Sequence, residues 1–122
     1  MALSSKQPRW DIYEIVILLE GYLETLQGIQ SKSQIIKRIS ADLRRMAVNR
    51  GVEIDDVYRN ENGVSYQIQS MDSAFKGQKV YVPATKLFTD AVALYRTDNK
   101  GYQKILGEAK GMITVKKNSR EA

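Results

Sequence analysis

"YRNENGVSYQIQSMDSAF", residues 58–75, is the stretch whose reading decides the fold. It opens on Arg-Asn-Glu-Asn-Gly, and Asn60 or Asn62 can cap a helix because a short amide side chain reaches the exposed N–H groups of the first turn. Val64, Ile68, Met71 and Phe75 then recur at three- and four-residue steps, which places them on one buried side of a helix. Gly77 closes that helix. The opposite side holds Tyr66, Gln67, Ser70, Ser73 and Ala74, with Gln69 on a flank. Amides and hydroxyls stand there in place of the Lys and Glu of an ordinary surface helix.

The same periodicity extends in both directions. Upstream, "SKSQIIKRISADLRRMAVNRG" at 31–51 predicts a helix over about 32–50 with Ile35, Ile36, Ile39, Leu43, Met46 and Ala47 buried. Ser31 and Gln34 have capping-box spacing, and Gly51 ends the helix. Before it, Trp10, Ile12, Ile15, Val16, Leu19, Tyr22, Leu23 and Leu26 form one apolar stripe over about 10–27, with Asp11 and Glu14 in the dipole-favoured first turn and Gly28 as terminator. Residues 52–59 read as a connector whose Ile54 and Val57 tuck into the core.

Downstream, "KVYVP" at 79–83 is β-prone but short, so it reads as an extended link. A helix over about 84–96 buries Leu87, Phe88, Ala91, Leu94 and Tyr95. "TDNKG" at 97–101 is a turn cluster. A last helix over about 101–110 buries Tyr102, Ile105, Leu106 and Ala109. The expected fold is therefore all-α, with five helices: a helix-turn-helix-like three-helix core and two further helices. Residues 1–9 are expected to be a flexible arm, 10–110 a single helical domain, and 111–122 a basic tail or the start of a linker.

Composition limits the chemistry. A chain of 122 residues can bury one core unaided. It contains no Cys and no His, which excludes disulfides, thiolate nucleophiles, imidazole bases and metal sites built from those ligands. The lack of Cys fits a reducing cytoplasm. The N-terminal residues lack the apolar core of a signal peptide, and "IVILL" at 15–19 is too short to span a bilayer. No phosphate-binding G-x-x-x-x-G-K motif occurs. Glu53, Asp55 and Asp56 in "EIDD" could hold Mg²⁺, but a nuclease needs carboxylates converging from separate elements, and a solvated acidic turn accounts for them more simply. A non-catalytic chain without cofactor is the expectation.

The formal net charge of +5 favours an anionic partner. The basic residues concentrate on the second helix: Lys32, Lys37, Arg38, Arg44 and Arg45, with Arg50 at its end and Asp42 as the single interior acid. Rotating about 100° per residue from Ile35 places Lys37, Arg38, Arg44 and Arg45 opposite the apolar arc, around Ala41. A one-sign face suits a polyanion, because each cation set on a phosphate releases counterions. A solvated face that aids solubility, or a contact for an acidic protein, accounts for the same residues. On the third helix, Gln67 could pair with adenine, Ser70 and Ser73 could meet several base edges, and Arg59 and Asn60 stand at the helix N-terminus, where a phosphate is favoured.

The segments "W…E…LLEGYL" at 10–23, "ISADLRRMAVNRGVEIDDVYRNENGVSYQIQSM" at 39–71 and "LF…V.LY" at 87–95 together resemble a small helical domain at the N-terminus of bacterial multidomain proteins. Those proteins carry restriction-type or HNH endonuclease, helicase or similar DNA-processing parts. The arrangement is also loosely similar to Myb/SANT three-helix DNA binders. The resemblance spans about residues 10–110 and highlights Trp10, Glu14, Tyr22, Leu43, Arg44, Arg59, Asn60, Asn62, Gly63 and Gln67, with Trp10 expected as a core aromatic and Gly63 as a relief of the backbone. It implies a DNA-associated targeting module, plausible in phage defence, fused to or working with a catalytic part, since no nuclease or helicase motif is present here.

The expectation is thus a DNA-binding module in which Lys37, Arg38, Arg44 and Arg45 hold phosphates while Arg59, Asn60, Gln67, Ser70 and Ser73 approach bases or adjacent backbone. A protein-interaction domain that docks a nuclease, a helicase or a phage protein is the alternative. A purely structural N-terminal domain is a third.

Overall fold

The computed structural model describes residues 8–114, which form five helices. They are α1 (Ile12–Gln27), α2 (Lys32–Asn49), α3 (Glu61–Lys76), α4 (Lys86–Thr97) and α5 (Asn99–Ile113). The all-α expectation holds, and "KVYVP" forms no strand. Residues 1–7 of the expected arm and 115–122 of the expected tail lie outside the described residues.

Each helix begins where a side chain can accept from an exposed N–H. Asp11 and Glu14 form a reciprocal capping box at α1, and Ser31, Asn60, Thr85 and Asp98 cap α2 to α5. Gly28 and Gly77 end α1 and α3 in the left-handed conformation, at φ 73° and 74°. Asp98 serves twice, as C-cap of α4 and N-cap of α5. The "TDNKG" turn is therefore compressed into a helix junction, and α5 starts and finishes outside the expected 101–110. Met112 and Ile113, assigned in sequence to the tail, pack against the core.

Four helices form a ring around the fifth, α1. α1 packs on all four others, while α2 meets α3, α3 meets α4, α4 meets α5, and α5 returns to α2. This explains "IVILL". Glu14 through Leu19 are buried without interruption, so α1 is apolar on every side at its middle, where a single stripe was expected. α4 and α5 complete the ring and are not an appendage to a three-helix unit. Where α1 crosses α2 the approach is close: a Cβ on Gly21 would collide with the end of the Ile39 side chain.

Several side chains expected inside are outside. Leu26, Val57 and Leu87 are exposed because each lies past the edge of the surface its element buries. Trp10 lies before the α1 cap, half-buried against the core, edge-to-face with Phe88 of α4 at 6.2 Å.

Candidate nucleic-acid interface

The outward face of α2 is built as the periodicity predicts. Its buried arc holds Ile35, Ile36, Ile39, Leu43, Met46 and Ala47, and Ser40 is buried with it. Lys37, Arg38, Ala41 and Arg45 are exposed on the other side. Lys37 and Arg45 make no hydrogen bond or salt bridge with any described residue. Arg38 is at the surface but engaged, pairing with Glu24 at 2.7 Å and donating to Gln30 at 3.1 Å. Asp42 lies beside these cations. Burial pushes its carboxyl above the usual range, and Arg38 and Arg45 oppose that push.

Arg44 has a structural task. Its guanidinium donates to the Tyr58 carbonyl at 2.6 Å, and the Ser40 hydroxyl donates to the next carbonyl, that of Arg59, at 2.7 Å. The two bonds fix the turn that launches α3. Arg59 adopts a positive φ of 46°, a region few non-Gly residues occupy. Asn60 follows as the α3 cap, its Oδ1 accepting from the Gly63 N–H at 2.8 Å. A Cβ on Gly63 would stand 3.2 Å from that oxygen, so the Gly keeps the cap unobstructed.

Three of the residues expected to approach bases, Arg59, Ser70 and Ser73, are buried and not on the surface. Arg59 is 4% exposed and does not face solvent at the helix N-terminus. It points inward to Glu14, with Nε to Oε2 at 2.8 Å and Nη2 to Oε1 at 3.1 Å. Ser70 and Ser73 are each 1% exposed. The segment after α3 folds back over them. Ser70 donates to the Pro83 carbonyl at 2.8 Å; Ser73 donates to the Val82 carbonyl at 2.5 Å and accepts from the Val80 N–H at 3.0 Å. These two hydroxyls bind this chain's own backbone, and Ala74 is buried beside them. Gln67 is half-buried. Of the polar face only its N-terminal part, Asn62 and Tyr66, is exposed.

What the fold does bring together is a groove of about 350 Å³ between α2 and the start of α3. Lys37, Ala41 and Arg44 line one wall, Asp56, Asn60 and Glu61 the other. The acidic wall was not foreseen. Asp56 lies in the connector and Glu61 in the first turn of α3, so only the chain's path sets them across from the cations. Asp55, considered as a metal ligand, instead accepts from the backbone N–H groups of Val57 and Tyr58 at 3.1 and 2.9 Å.

No protein-family model matches the chain, and no curated protein or solved structure matches it either. None of these comparisons links the chain to restriction- or helicase-type proteins. No helix among the described residues is long and apolar enough to cross a membrane.

Proposed function

We propose that this domain is a non-catalytic module that grips the phosphate backbone of DNA through the outward face of α2 and does not read bases. One observation carries the reading: Lys37 and Arg45 stand on either side of a small residue, Ala41, with no hydrogen-bond or salt-bridge partner among the described residues. Exposed cations flanking a small side chain suit a regular array of phosphates, and phosphate contacts position a protein without specifying sequence. Arg38 adds a third cation if it exchanges Glu24 for a phosphate. The buried fate of Arg59, Ser70 and Ser73 supports sequence-neutral binding. Such a grip fits the accessory role that the resemblance to DNA-processing and phage-defence proteins implies, in a cytoplasm whose reducing conditions suit a chain without Cys.

Anisotropy of a labelled duplex tests this. Two to three phosphate contacts predict a log–log salt slope of about −1.8 to −2.7, hence a loss of roughly 12- to 40-fold between about 50 and 200 mM salt. Lys37→Glu with Arg45→Glu should abolish binding and leave the helical spectrum unchanged. Salt-insensitive binding, or wild-type affinity in the double variant, would overturn the proposal.

A protein partner is the second reading, favoured by Asp56 and Glu61 across the groove from Lys37 and Arg44. Two acids there weaken the field a polyanion would feel, and a surface bearing both signs suits a protein bearing both. Binding through that groove would fall with Asp56→Lys, a change that should strengthen a DNA contact.

A further inference from the structure

Tyr81 is 79% exposed, yet the segment that carries it is held down. The three hydrogen bonds that Ser70 and Ser73 make, two donated and one accepted, fix the backbone at Val80, Val82 and Pro83, immediately on both sides of Tyr81. A large aromatic is thus displayed from an ordered backbone, which lowers the entropy cost of using it as a binding anchor.

Tyr81 forms the rim of a groove of about 310 Å³ between α1, the start of α2 and α3. Leu26, also exposed, lies on the α1 side, and Tyr22 and Ile68 contribute buried apolar surface. Ile29, in the turn after α1, is another exposed apolar side chain. The groove's polar groups have one unspent charge among them. Asp72 is satisfied by the Tyr22 hydroxyl at 2.6 Å and by Lys76 at 3.2 Å. Lys32 lines the groove, is exposed, and has no partner among the described residues. It sits in the first turn of α2, which contains no acid, so its charge adds to the positive end of the helix dipole. An apolar trough with an uncompensated positive end complements a segment that has apolar anchors and negative charge.

We propose that the groove between Tyr81 and Leu26 docks an acidic amphipathic segment of a partner protein, its apolar side chains against Tyr81 and Leu26 and a carboxylate on Lys32. This site is separate from the outward face of α2 and stands whether or not that face binds DNA.

The test is amide chemical-shift mapping on the isotope-labelled full chain. The probe is a synthetic peptide of about 14 residues with Leu and Trp at i, i+3, i+4 and i+7 and Glu elsewhere. A second peptide replaces every Glu by Lys. Saturable shifts at Tyr22, Leu26, Ile68 and Tyr81 with the acidic peptide are expected, with affinity at least about tenfold weaker for the basic one. Tyr81→Ala and Lys32→Glu should each weaken the acidic peptide about tenfold. Lys37→Glu with Arg45→Glu should leave it unchanged, which separates this outcome from the DNA proposal. Both groove residues are exposed, so the thermal melts of the variants should match wild type; if Tyr81→Ala fails to fold, Lys32→Glu decides. No saturation by about 1 mM peptide, equal binding of the basic peptide, or shifts on another face would overturn the assignment. So would groove shifts that follow protein concentration without peptide, which would make the occupant a second copy, or groove shifts produced by duplex DNA in place of the acidic peptide.

Discussion

Arg59 and Glu14 form a doubly bonded ion pair sealed inside the protein, 45 residues apart in the chain and each 4% exposed. The guanidinium also donates to the Pro8 carbonyl at 3.0 Å and lies 4.7 Å from the centre of the Trp10 ring and 4.6 Å from that of Tyr58. The Tyr58 hydroxyl donates to Glu14 at 3.3 Å, and Glu14 also accepts from the Asp11 N–H at 3.1 Å. One side chain in an unfavourable backbone conformation thus ties the entry to α1, the connector and the start of α3.

Breaking this pair from one side should be costly, because it strands a charge away from water. Arg59→Met or Glu14→Leu alone should lose about 3–5 kcal/mol in urea denaturation. The double variant should recover part of that loss. Strictly additive losses would show that the two side chains do not act as a unit.

Ser73 should matter to stability and not to DNA sequence preference. Ser73→Ala leaves the Val80 N–H and the Val82 carbonyl without their partner, at a cost of about 1–3 kcal/mol. Its relative affinities across a panel of duplexes should match wild type. A changed ranking of duplexes would return the hydroxyl to a reading role.

Gly21→Ala should destabilise by about 1–3 kcal/mol through overpacking against Ile39. Ile39→Val removes the terminal methyl that the new Cβ would strike. In the Gly21→Ala background it should cost less than it does alone, a coupling that calorimetric melts of the four proteins would read.

Stability should fall on the alkaline side. Burial, the Asp72 hydrogen bond and its charge raise the Tyr22 phenol; burial and Glu20 raise Tyr102; burial and Glu14 raise Tyr58. Folding therefore favours the protonated phenols. Their contribution is complete below the ordinary tyrosine value near 10 and is lost as pH rises towards the raised folded values. Melts at pH 8 to 11 should show Tm falling above about pH 10. Tyr102→Phe, which gives up the 2.9 Å bond to Glu20, should start lower and fall less steeply.

The helices were legible in the sequence because their causes are local. Asn60, Ser31 and Gly77 act within a turn of their own positions, and the spacing of Ile35, Ile39 and Met46 states which side of α2 is apolar. The exposed cations Lys37 and Arg45 were legible for the same reason. The α3 polar face was misread because rotation about a helix axis shows what is opposite the core and not what else covers it. Asn62 and Tyr66 remain outside, whereas Ser70 and Ser73, on the same face, lie under residues 80–83. The alternation in "KVYVP" was the available signal that this link had a surface to rest on.

By itself the sequence determined five helices, the Ser31 cap, the Gly28 and Gly77 stops, the burial of one side of α2 and the absence of Cys and His from the chain. Only the tertiary structure decided that α1 is the hub of a ring, that Arg59 is an internal ion-pair partner, and that Ser70 and Ser73 hold the backbone of residues 80–83. The division follows from range. Capping and periodicity are satisfied within a few residues, but a polar group's partner is whichever donor or acceptor the folded chain brings within about 3 Å, and no spacing along the sequence encodes that.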